Sequence, residues 1–107
     1  VFVSIVLVAT FSPKPGEEQA VREAILESIP KVHAEPGCAK YALHEAVGDS
    51  TDLVFIERWE SPEALKSHAK APALAALVAA LDGRLAKPLD VKRLSPVPAG
   101  TAEQGSI

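Results

Sequence analysis

Glu35-Pro36-Gly37-Cys38, followed by Tyr41 and His44, then Glu57-Arg58-Trp59, Ser61-Pro62-Glu63-Ala64-Leu65 and finally His68, is the stretch from which the fold of this chain is read. Proline disfavours helix in the residue before it and glycine accepts positive φ, so Pro36-Gly37 stops a preceding helix and turns the chain. A strand starts at Cys38, a second runs from about Thr51 to Glu60, and Gly48-Asp49-Ser50 makes the turn between them. Ser61 offers its hydroxyl to the open amides of a new helix, Pro62 suits the first helical position, and Glu63 complements the positive end of the helix dipole. Tyr41, His44, Glu57, Trp59 and His68 are thereby carried on three consecutive elements. Most of the chemically capable side chains fall in one region.

Working outward, the apolar run Val1 to Phe11 lacks a basic leader and a small-residue cleavage site and is too short to span a bilayer, so it is expected to be a buried strand. Glu17-Glu18 opens a helical pattern with Val21, Ile25, Ile29 and Val32 on one side and Glu18 and Arg22 as a supporting pair on the other. Pro30 is expected to kink this helix or end it early. In the helix begun at Ser61, Leu65 and Ala69 share a face with His68, which turns the imidazole inward. Beyond Ala71-Pro72, the spacing of Leu74, Leu77, Val78, Leu81 and Leu85 predicts another helix ending near Asp82-Gly83. Lys87 to Ser95 reads as a last strand with Leu89, Val91 and Arg93 on one face. The Pro-, Gly- and Ala-rich segment 96–107 reads as a tail, disordered or laid over a partner as an arm.

Strand, helix, strand, strand, helix pair, strand is the order of the ferredoxin-like split βαβ plan, an α+β fold with a four-stranded antiparallel sheet and helices on one face. Residues 1–95 form this single domain and 96–107 the tail. Val1, Val3, Ile5 and Leu7 lie on one face of the first strand, and Phe2, Val6 and Val8 on the other. Two apolar faces need two covers, and the chain has helices for one. A second copy, packing sheet to sheet as a homodimer, is the simplest cover.

Composition excludes several functions. With 11 basic and 14 acidic side chains the formal charge is −3, and no Lys/Arg run exists, which argues against a nucleic-acid partner. A membrane partner is likewise not expected. The single Cys38 cannot form an internal disulfide, which fits a reducing, cytoplasmic compartment and rules out a four-cysteine zinc site. Cys38 itself is either a small buried hydrophobe or a nucleophile. No histidine pair stands at a metal-ligand spacing, no glycine-rich phosphate loop is present, and no serine has the turn context of a nucleophile elbow, so neither metal nor cofactor is expected.

The Glu35-Pro36-Gly37-Cys38 turn, Tyr41, Glu57-Arg58-Trp59, Ser61-Pro62-Glu63-Ala64-Leu65 and His68 together closely resemble the antibiotic biosynthesis monooxygenase family, whose members are dimeric α+β barrels. That resemblance covers cofactor-free oxygenation of polycyclic phenols, quinol oxidation, haem degradation and isomerisation, and fold alone does not choose among them. The haem-degrading branch carries an Asn on the first strand, a Trp nine residues after the strand-end Trp and a haem-ligating His ten further on. In this chain the first strand has no Asn, and His68 and Val78 stand at the other two positions, so haem degradation is not expected. The cofactor-free branch uses a Trp, a Tyr and polar side chains around its substrate, which Trp59 and Tyr41 match in type.

Pairing Val47 with Leu53 across the turn sets Leu43 opposite Glu57 and Tyr41 opposite Trp59, all on one side of the sheet. Glu57 among Leu43, Phe55 and Trp59 is then partly desolvated and becomes a proton acceptor, unless it pairs with an Arg or sits at a subunit boundary. His68, Glu57 and Trp59 are the expected catalytic residues, with Tyr41, Leu43, Phe55 and Leu65 around the substrate. The competing readings make Trp59 a core anchor and His68 an inward histidine bonded to backbone. His44 lies on the opposite strand face and points at the partner sheet, and His33 is expected to be solvated near a helix end. The expected function is cofactor-independent monooxygenation of a phenol, quinol or similar electron-rich aromatic with molecular oxygen. The alternatives are an isomerase enolising a small carbonyl compound and a non-catalytic dimer binding a small ligand.

Overall fold

A computed structural model describes residues 4–107; Val1, Phe2 and Val3 of the expected first strand lie outside the described residues. Seven elements follow in order: β1 (Ile5–Phe11), α1 (Glu18–His33), β2 (Cys38–Glu45), β3 (Leu53–Trp59), α2 (Pro62–Ala69), α3 (Pro72–Ala80) and β4 (Asp90–Leu94). The strands form one antiparallel sheet in the order β2-β3-β1-β4, the α+β ferredoxin-like arrangement. None of the described helices is long and apolar enough to cross a membrane.

Alternation along the strands decides which face the helices cover. In β3 every second residue, Leu53, Phe55, Glu57 and Trp59, is buried, while Val54, Ile56 and Arg58 between them are half-buried. The buried set lies with Leu7, Ala9 and Phe11 of β1 and Tyr41 of β2 under the helices. Helix α1 adds Val21, Ile25 and Val32 to this layer, and α3 adds Ala73 and Leu77. Trp59, Phe55, Ile25, Val21 and Val32 are fully enclosed, and removing an aromatic of that kind from a packed core costs about 3–5 kcal/mol.

The expected cap of α2 is present. Ser61 Oγ accepts a hydrogen bond from the Ala64 amide at 3.1 Å, with Pro62 in the first turn. The turn before β2 is built as its sequence demands: Gly37 has φ +79°, and a Cβ there would stand 2.4 Å from the Ala64 Cβ of α2. Only glycine lets the turn lie that close to the helix, and the Glu60 amide donates to the Gly37 carbonyl at 2.9 Å to hold it there.

Four expectations are corrected. Pro30 neither ends nor shortens α1, which continues to His33. Its ring is exposed and near the C-terminal end, so one backbone bond is lost while buried Val32 still anchors the last turn. Arg22 pairs with Glu45 at the end of β2 rather than with Glu18, whose carboxylate accepts from the Gly16 amide. The hairpin register is shifted by two residues: Glu45, not Val47, is opposite Leu53, so Tyr41 faces Glu57 and Leu43 faces Phe55. A two-residue shift preserves which side chains share a face but changes every neighbour. Finally, the last strand is shorter than 87–95, covering Asp90–Leu94, and all five of its residues are exposed.

Candidate active site

Strand register assembles the site from four strands. Tyr41, Glu57, Leu7 and Arg93 stand in one row across the sheet, pairing in turn between β2, β3, β1 and β4, with their side chains on the helix-covered face. The next row contains Leu43, Phe55, Ala9 and Val91. Ala9 is the small member of that row. Its methyl leaves space beside Phe55 that a larger residue would fill, and a cavity of about 270 Å³ opens over the β1 and β4 half of the sheet. Glu57, Tyr41 and Arg93 reach it from the sheet, and Leu65, His68 and Ala69 from α2. Phe11, Leu74 and Leu89 line it as well and also border a larger groove of about 590 Å³ along α3.

Of the residues singled out from sequence, Glu57, His68, Tyr41 and Leu65 line the cavity. Leu43, Phe55 and Trp59 do not; Phe55 and Trp59 are fully enclosed and Leu43 packs against the core. Phe55 supports Tyr41 from behind, with the rings stacked at 3.9 Å. Trp59 braces both Glu57 and His68 without reaching the cavity: its Nε1–H donates to Glu57 Oε1 at 2.9 Å, and its ring stacks on the His68 imidazole at 4.4 Å. His44 lies on the opposite face, as its strand position requires, and is exposed. His33 is exposed too, yet it bonds the Tyr41 carbonyl through Nε2 at 3.0 Å and so braces β2 instead of being merely solvated.

The electrostatics follow from burial. Glu57 is only 3% exposed, and its carboxyl is held above the ordinary carboxylate range by burial. The Trp59 hydrogen bond and the nearby His68 pull it back in part, while Glu35 adds to the rise. Burial raises the Tyr41 phenol strongly, with Glu57 adding to it and the Ser28 hydroxyl opposing. Tyr41 is therefore a neutral wall of the site. The Cys38 thiol is likewise raised by burial and by Glu35 and Glu57, which suits a small packing residue and not a nucleophile.

Sequence reading missed Glu35 and Arg93 as members of this site. Arg93 enters because β4 is laid beside β1, a contact far apart in sequence. Glu35 enters because the turn that carries it lies on α2: His68 Nδ1 and Glu35 Oε1 are hydrogen-bonded at 2.7 Å, 33 residues apart in the chain. The combination of Gly37 with Ala64 on α2 was the available signal, since a turn that can touch the helix at Ala64 also reaches the residue one helical turn on, His68.

The family model for antibiotic biosynthesis monooxygenase matches residues 4–80. The Mycobacterium tuberculosis protein named "Putative monooxygenase Rv0793" is 32% identical over 98 residues, spanning 92% of this chain and 96% of the relative. The Bacillus subtilis protein named "Putative monooxygenase YcnE" is 33% identical over 89 residues, spanning 83% and 94%. The solved structure of Rv0793 superposes with a TM-score of 0.84 at 31% identity, covering 92% of this chain and 99% of that one. A Caulobacter crescentus structure described as "a putative antibiotic biosynthesis monooxygenase" gives a TM-score of 0.83 at 26% identity, covering 91% and 92%.

Proposed function

The chain belongs to the antibiotic biosynthesis monooxygenase family, and on that premise we propose that it oxygenates a phenol, quinol or similar electron-rich aromatic with molecular oxygen and no prosthetic group. One observation carries this reading: Glu57 and His68, the two proton-handling groups, meet in one mainly apolar cavity between sheet and helices. A cavity of about 270 Å³ is near the small end of ligand pockets and suits a head of one or two rings. The groove along α3 shares Phe11, Leu74 and Leu89 with it and offers room for substituents.

The reaction balances without an external reductant for a phenol with a free para C–H. A cavity base removes the hydroxyl proton, and the phenolate passes one electron to oxygen. Radical and superoxide then join at the para carbon, and the peroxide takes a proton. Loss of the ring C–H proton with cleavage of the O–O bond leaves a quinone carbonyl and hydroxide, which is protonated to water. One oxygen atom ends in product and one in water, with all electrons supplied by the substrate. Arg93 provides positive charge at the rim for the anionic species, and the raised Glu57 carboxyl suits the proton donor to peroxide. The apolar walls hold the radical pair away from water. Oxygen uptake on a panel of quinols and polycyclic phenols, measured in chelator, tests this. Consumption with one oxygen atom added to the product and no accumulation of hydrogen peroxide is expected; isomerisation of a carbonyl compound without uptake would favour the enolising alternative, and ligand-induced stabilisation without turnover the non-catalytic one.

The unit we propose is a cytoplasmic homodimer packed sheet to sheet. Val6, Val8, Val54, Ile56 and Leu94 form an apolar outer face that the chain's own helices do not cover, and Arg58 Nε on that face is buried without a hydrogen-bond partner among the described residues. The 96–107 tail is exposed throughout and available as an arm. Sedimentation at low micromolar concentration is expected to give a dimer, and a well-folded monomer contradicts it.

A further inference from the structure

We propose that Glu35 is a positioning residue that fixes the tautomer of His68 and so makes His68, rather than Glu57, the base of the site. The base role rests on the reading of the cavity as an oxygenation site; the tautomer does not.

Three features support the assignment. His68 Nδ1 lies 2.7 Å from Glu35 Oε1, the short distance of a charge-assisted bond, with both side chains largely out of solvent. A carboxylate accepts, so the imidazole proton sits on Nδ1 and the Nε2 lone pair is left for the cavity that the ring lines. The imidazole is also clamped in orientation, because Trp59 stacks on one of its faces at 4.4 Å and Tyr41 meets it edge-on at 5.8 Å.

The second feature is what Glu35 lacks. Its Oε2 is buried with no hydrogen-bond partner, so His68 is the only side chain to which this carboxylate is bonded among the described residues. A buried carboxylate oxygen left unsatisfied lowers stability, so Glu35 is expected to contribute little to folding. The third is the device that delivers it. Gly37, two residues on, rests against Ala64, one helical turn before His68, and the absence of a Cβ at Gly37 is what allows Glu35 to reach the ring. Glu57 differs: its Oε1 is occupied by the Trp59 N–H, and nothing orients it toward accepting a proton in preference to giving one.

The test begins with the unaltered protein. Long-range nitrogen-proton correlation spectra of 15N-histidine-labelled protein, with His68 assigned by difference against His68→Gln, are expected to show Nδ1 protonated and Nε2 unprotonated in the neutral ring. The Nε2–H form there overturns the proposal whether or not any substrate is turned over. Glu35→Leu is then expected to convert the His68 signal to a mixture or to the Nε2–H form, to leave the melting temperature unchanged or higher, and to lower kcat by about tenfold or more while KM stays within about threefold. Glu35→Gln, which keeps an acceptor, is expected to recover part of that loss. A Glu35→Leu protein with the tautomer and kcat of the parent refutes the positioning role. If the spectra agree with expectation but no quinol or phenol is consumed, the oxygenation reading fails and the tautomer assignment stands.

Discussion

Replacing His68 with glutamine is expected to lower turnover by about a hundredfold or more and to leave the melting temperature within a few degrees of the parent. Glutamine is the informative choice because its amide can still donate to Glu35 Oε1, whose only partner among the described residues is the imidazole. Alanine would leave that carboxylate with neither oxygen bonded and open a hole against Trp59, so a loss of folding would mask a loss of chemistry. Steady-state kinetics beside thermal melts check the prediction. Collapse of the fold with unchanged specific activity in the folded fraction would make His68 a core histidine and nothing more.

Glu57 yields the second large effect, with opposite signs on activity and stability. Its carboxyl is raised above the ordinary range in the folded chain, chiefly by burial. An acid whose folded value exceeds its unfolded value binds more protons folded than unfolded between the two, so its contribution to stability is present at low pH and is lost as pH rises through the folded value. Glu57→Gln keeps an oxygen to accept the Trp59 Nε1–H and removes the titration. The variant is expected to melt a few degrees higher than the parent above neutral pH and to match it near pH 4, while turnover falls at least about tenfold because the amide cannot return a proton to peroxide. Melting curves across that pH range decide it. A variant less stable than the parent at high pH would mean that the ionised carboxylate is itself a structural partner.

Much of this site was legible in the sequence because its signals are local. Ser61-Pro62 announces a helix start through a hydroxyl and a ring that suit that position, and the Ser61 hydroxyl caps the helix at the Ala64 amide. Trp59 at a strand end, two residues after Glu57, places both on one face by strand alternation alone, and Leu65 with His68 falls on the buried side of α2 by helical spacing. The hairpin register was not legible. The chain closes through the Ala46 amide and the Asp52 carbonyl at 3.0 Å, a wider loop than Gly48-Asp49-Ser50 suggests, and Val47 is left 95% exposed at its tip. An apolar residue there looked like a strand member and displaced the pairing by two. Trp59 shows a different limit: residue type suggested a place in the site, whereas packing makes it the strut behind two groups that line the cavity. Glu35 shows a third. Its role depends on a contact 33 residues away, set by a missing Cβ at Gly37.

The cavity's size is likewise a non-local property. Alanine at position 9 is unremarkable in a strand, yet beside Phe55 and Val91 it is the residue that leaves the floor open.

The fate of the oxygen atoms separates oxygenation from simple oxidation. Turnover of a phenol with a free para C–H under 18O2, in chelator and ordinary water, followed by mass spectrometry of the product trapped before carbonyl exchange, is expected to show one labelled oxygen in the quinone. The second labelled atom should appear in water and none in hydrogen peroxide. Quinone bearing no label, with the label recovered as peroxide, or turnover that ceases in chelator and returns on adding a metal ion, would contradict the proposed reaction.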